Sequence, residues 1–112
     1  ALFSEFDLLA GPTSPFPAFA LGSRTQDPYA MYLCDLLTAP VCLAGLPSIS
    51  VPCGLAHGAG KPLPVGLQFV GRPAEDHRVL AAAAGFEAAR GEPERCELFG
   101  APAPAAVRGG AR

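Results

Sequence analysis

The sequence predicts an α/β fold of about three short strands covered by three to four helices, and more exactly a piece of a larger layered domain. Three observations carry this. Two apolar runs, Ile49 to Cys53 and Val65 to Val70, are joined by a connector rich in Gly and Ala, as expected of a hairpin. Helical start signals at Asp27-Pro28 and at Pro73 to Asp76 are each followed by apolar residues at helical spacing. The chain has 112 residues, half of them apolar, with thirteen Gly and thirteen Pro. That is enough for one small core with many turns and too little for a second domain.

Taken in order, Ala1 to Phe6 looks like the end of a helix. The run from Phe6 to Ala10, FDLLA, reads as a buried strand that stops at Gly11-Pro12. From Thr13 to Phe19 two prolines flank Phe16, and each pushes its predecessor out of helical space, so this is an irregular extended loop suited to lining a site. At Asp27 a carboxylate caps a helix whose first residue, Pro28, needs no N–H there, and Tyr29, Tyr32, Leu33 and Leu36 follow at helical spacing. A second short helix is expected from about Thr38 to Ala44, with Pro40 in its first turn and Gly45 as its stop.

The strands Ile49 to Cys53 and Val65 to Val70 alternate little, apart from Gln68, which predicts a sheet covered on both faces. Pro52 lacks a ladder donor, so it belongs at a strand end, a bulge or an unpartnered side. In the last helix Glu75 and Asp76 lie near the positive end, and Val79, Ala83 and Phe86 share one face that Leu80 and Ala84 widen. Gly91 and Pro93 end it. Residues 1–98 form the structured part, and the tail 99–112 has almost nothing to bury and is expected to be disordered. Three strands with so few helices leave sheet edges unpaired, and the segment is expected not to fold stably alone.

Eight basic and ten acidic residues are scattered along the chain for a net charge of −2, which offers no basic stripe for nucleic-acid phosphates. No cationic stretch precedes an apolar run, and no apolar run approaches the length of a membrane span, so the chain reads as soluble and not secreted. Cys34, Cys42, Cys53 and Cys96 match neither a zinc knuckle nor a disulfide framework. The first three sit among apolar neighbours, as small reduced core residues would.

Candidate chemistry is sparse. Lys61, the single lysine, lies in a Gly-rich connector and reads as a solvated loop residue. Ser48 and Ser50 fall on one face of a strand with no general base nearby in sequence, so local hydrogen bonding is the simpler role. His57 and His77 are isolated and read as exposed. Asp35 stands out because it interrupts the apolar context YLCDLLTAP, where a carboxylate needs a cation or several donors. It either caps the second short helix or holds a ligand.

The segments DLLAGPTSPFPAF, DPYAMYLCDLLTAP, GLPSISVPCG and PVGLQFVGRP resemble, in residue type and order, the C-terminal part of the amidase-signature family. The resemblance covers Ala1 to about Gly100 and implies a mixed central sheet covered by helices, of which this chain supplies a fragment. Family members hydrolyse amides with a lysine and two serines. None of that apparatus is visible here, so the resemblance implies no catalytic residue in this chain and no activity of the segment alone.

Within the family, the resemblance is to the branch that takes ammonia from glutamine for tRNA-dependent amidation. There the aspartate matching Asp35 binds the α-ammonium of glutamine, which a general amidase acting on small or lipophilic amides does not need. The same branch implies ATP-dependent conversion of Glu-tRNA(Gln) to Gln-tRNA(Gln) in a heterotrimer with B and C subunits. ATP and magnesium are then used by a partner subunit, tRNA is met only through that partner, and this segment binds no cofactor. A bacterial cytoplasm or a mitochondrial matrix is implied. A general amidase and a noncatalytic truncated product are the competing readings. Two departures are Cys42, where the family usually has Asn before Leu-Ala-Gly, and a longer connector in AHGAGKPL.

Overall fold

The computed structural model describes residues 2–58, 60–92, 94 and 96. A 3₁₀ turn at Leu2–Ser4 leads to β1 (Leu9–Pro12), followed by the short helix α1 (Pro28–Tyr32), a 3₁₀ turn at Leu33–Asp35, and α2 (Ala39–Leu43). The strands β2 (Ser48–Ala56) and β3 (Leu63–Val70) come next, and α3 (Asp76–Arg90) closes the described part. The expected α/β character is present, as a three-stranded antiparallel sheet in the order β1-β3-β2. The expected tail, 99–112, lies outside the described residues, as does Pro93.

β2 and β3 form the expected hairpin, with Ser50 opposite Gln68 and Val51 opposite Leu67, and both strands extend further toward each other than the apolar runs suggest. The register shifts between Pro52 and Gly54. Pro52 thus sits at a bulge, where a missing N–H costs least. Its carbonyl accepts a bond from Arg90 Nη1 at the last turn of α3.

β1 pairs with β3 from Leu9↔Val70 to Pro12↔Leu67, so it starts later than the FDLLA run and continues through Gly11-Pro12. The strand can do so because it lies at an edge of this sheet, and an edge tolerates a proline that an inner strand would not. Its residues are half-buried and exposed in alternation rather than buried throughout.

α3 packs on β2 and β3. Val79 and Ala83 are buried with Val51 and Val70, while Phe86 meets Phe69 edge to face at 5.8 Å. Leu80 is 59% exposed and Ala84 is also exposed, so they do not widen the buried face. The helix rests on the sheet along a narrow stripe, and Leu80 is about 100° around the helix from Val79. Gly71 has room for this contact only because it lacks a side chain, since a Cβ there would stand 2.5 Å from Val79 Cγ2. Gly91, at φ 74°, ends the helix and donates to Glu87 O.

The expectation of a sheet covered on both faces is not met among the described residues. Ser48, Ser50 and Pro52, which alternate onto the face away from α3, are exposed. Tyr29, Tyr32 and Leu43 on the helical segment are also exposed. Cys42 and Cys53 are exposed and Cys34 only half-buried, which corrects their reading as core residues; all four thiols are free. Cys53 is exposed because it falls at the bulge, and Cys42 because the short α2 presents it outward.

An ion cluster fixes the N-terminal segment. Arg72 Nε and Nη2 donate to Phe3 O at 3.1 Å and Phe6 O at 3.2 Å, and Nη2 also reaches Asp7 Oδ1 at 3.3 Å. Arg78 approaches the same Asp7 oxygen at 3.5 Å and pairs with Glu75 at 3.3 Å.

Candidate functional site

The loop after β1 forms one wall of a cleft of about 710 Å³ whose floor is β3. Most of its lining is apolar, from Pro15, Phe16, Phe19, Val65 and Leu67. Residues 13–16 run as successive bends, and Pro15 and Pro17 bias Ser14 and Phe16 away from helical backbone. The polar feature of the floor is a hydroxyl pair. Thr13 Oγ1 and Ser50 Oγ are 2.5 Å apart, and Thr13 N donates to Gly66 O at 3.0 Å. One proton of the two hydroxyls serves their mutual bond, which leaves the other free to donate to a ligand.

Ser50 therefore bonds a hydroxyl and no general base, in keeping with a local polar role. Ser48 lies on the same face, exposed. Lys61 and His57 are exposed and line a second cavity of about 590 Å³ with Pro17 and Leu63. His77 is exposed in the first turn of α3. Among the described residues no group of His, Cys, Asp and Glu is placed to hold a metal ion.

Asp35 ends the 3₁₀ turn that follows α1, and its side chain is exposed. Its backbone carbonyl accepts from Thr38 N at 3.1 Å and Thr38 Oγ1 at 3.4 Å. Its carboxylate has no hydrogen-bond or ionic partner among the described residues, and the N-terminus of α2 carries no side-chain cap. Capping of α2 is thus not what Asp35 does here. Its neighbour Cys34 lines the cleft and donates from Sγ to Ala30 O at 3.6 Å, whereas Asp35 stands outside the lining.

Arg24 is a residue whose placement the sequence did not disclose. Its guanidinium lies 3.9 Å from the Phe16 ring centroid and 4.4 Å from that of Phe19, and Nη1 donates to Ala30 O at 3.3 Å. Two phenylalanines three apart, followed by an arginine, form a signal in hindsight, but only a reversing loop brings them together. Asp27 caps α1 as expected, accepting from Tyr29 N at 3.0 Å and Ala30 N at 3.1 Å.

No helix among the described residues is long and apolar enough to cross a membrane. The chain is 55% identical over 87 residues to the A subunit of the glutamyl-tRNA(Gln) amidotransferase from Streptococcus gordonii, a match that covers 78% of this chain and 17% of that protein. It is 52% identical to the protein of the same name from Lactococcus lactis over the same shares, and 54% identical to that of Moorella thermoacetica over 76% of this chain and 17% of the relative. The chain therefore spans 17% of the length of these relatives. The amidase family model matches residues 1–80, and with that match and these identities the chain belongs to the amidase family.

Proposed function

We propose that this chain is part of the glutamine-hydrolysing subunit of a tRNA-dependent amidotransferase, in which Asp35 binds the α-ammonium group of glutamine. The supporting observation is the state of Asp35. It is an exposed carboxylate without a partner among the described residues, immediately after Cys34, which lines the cleft. A carboxylate left unpaired beside a cleft is available to a cationic ligand group, and the identity with amidotransferase A subunits supplies the chemical context.

In this reading β2, β3 and the loop 13–19 orient the substrate, while a lysine and two serines in the remaining length of the protein break the amide. Ammonia then passes to a B subunit, which uses ATP and magnesium to convert Glu-tRNA(Gln) to Gln-tRNA(Gln) with a C subunit in the complex. The setting is a bacterial cytoplasm or an organelle matrix. This segment contributes grip and support and has no activity alone.

The test is Asp35→Asn in the full-length protein, with glutamine and its desamino analogue, glutaramic acid, as substrates. Loss of a charge-assisted bond of about 1.5–3 kcal/mol raises the glutamine KM by roughly ten- to a hundredfold and leaves the analogue unaffected. An unchanged glutamine KM would overturn the assignment of Asp35. Equal use of both amides by the unsubstituted protein would favour a general amidase.

A further inference from the structure

We infer that Arg24 is a positioning residue that locks the cleft wall 13–19 to the turn carrying Asp35. The inference deepens the proposed function and, for its substrate arm, rests on it.

The geometry converges on one carbonyl. Arg24 packs its guanidinium against both Phe16 and Phe19, the aromatic residues of the cleft wall. The same guanidinium donates to Ala30 O in α1. That oxygen also accepts from Cys34 Sγ, and Cys34 lines the cleft immediately before Asp35. Between these points the backbone is short and ordered by local bonds. Asp27 N donates to Arg24 O at 3.2 Å, and the Asp27 carboxylate then caps α1. A movement of the wall is therefore transmitted through Arg24 to the helix whose end sets Asp35.

Arginine suits this position for physical reasons. A planar guanidinium can lie against two rings with its faces while an N–H at its edge donates to a carbonyl. A lysine ammonium carries the charge but cannot make both contacts in that plane. Arg24 is half-buried, and its contacts are to rings and a backbone carbonyl, with no carboxylate among them, so its role is in holding structure and not in neutralising a charge.

The experiment uses the full-length protein with Arg24→Ala and Arg24→Lys. Backbone hydrogen exchange is followed in 13–19 and in 31–36. The expected result is a loss of protection in both segments together, by about threefold or more in Arg24→Ala, with only partial recovery in Arg24→Lys. Loss confined to 13–19, or full rescue by lysine, overturns the proposal.

A second arm measures the preference for glutamine over glutaramic acid. Arg24→Ala is expected to lower that preference about threefold through KM with kcat retained, and to have no further effect in the Asp35→Asn background. An additive loss in the double variant overturns the proposal. If the unsubstituted protein shows no preference for glutamine, the substrate assignment fails, and the exchange arm still decides the role of Arg24.

Discussion

The hydroxyls of Thr13 and Ser50 meet across a strand that belongs to neither of them. Thr13 follows β1 and Ser50 lies in β2, yet their oxygens are 2.5 Å apart because the intervening strand β3 presents Gly66 at that point. A Cβ on Gly66 would stand 2.6 Å from Ser50 Oγ and 2.8 Å from Thr13 Oγ1.

Gly66→Ala is therefore expected to destabilise the full-length protein by about 1–3 kcal/mol, since the methyl must displace one hydroxyl or shift the strand. Denaturant unfolding checks the magnitude. Combining it with Ser50→Ala removes the closest obstacle, so the double variant should lose less than the sum of the two single changes. Strict additivity would count against this contact.

Val79 is 3% exposed, against Gly71 and the sheet. Val79→Ala is expected to cost roughly 1–3 kcal/mol through lost burial and an incompletely filled space. Leu80→Ala, one residue on but 59% exposed, should change stability by about 0.5 kcal/mol or less. Thermal unfolding of the two variants side by side tests the narrow stripe along which α3 packs.

Arg72 uses two different nitrogens to reach two carbonyls and a carboxylate. Arg72→Lys retains the charge but not the fork, and is expected to recover less than half of the roughly 1–2 kcal/mol lost in Arg72→Ala, as read by denaturant unfolding. Recovery of most of the loss would show that charge alone suffices.

Ala74 adopts φ 63° in the turn before α3, a left-handed conformation that strains a residue with a Cβ. Ala74→Gly is expected to raise the stability of the full-length protein by about 0.5 kcal/mol, the relief of strain being partly offset by the freer unfolded chain. A measured destabilisation would contradict the assigned turn.

The sequence disclosed what depends on local rules. Asp27-Pro28 announces a cap and a first helical residue, and Asp27 binds two amides of α1. Pro52 announces an interruption, and the β2 register shifts beside it. It failed where an outcome depends on a neighbour. Leu80 looks as apolar as Val79, but only the placement of α3 on the sheet decides which is buried. Asp35 as a cap was plausible from spacing alone, but the N-terminus of α2 receives no side-chain hydrogen bond. The Arg24 contacts were illegible because a loop of irregular backbone has no period to read.

The bond from Arg90 to the Pro52 carbonyl bears on where this protein can be cut. The family model matches residues 1–80, ten positions short of the end of α3. A shortened version designed to that boundary would discard the arginine that reaches back to the bend in β2. The strand that carries Ser50 would then keep its pairing with β3 but lose a tie made by a residue far along the chain.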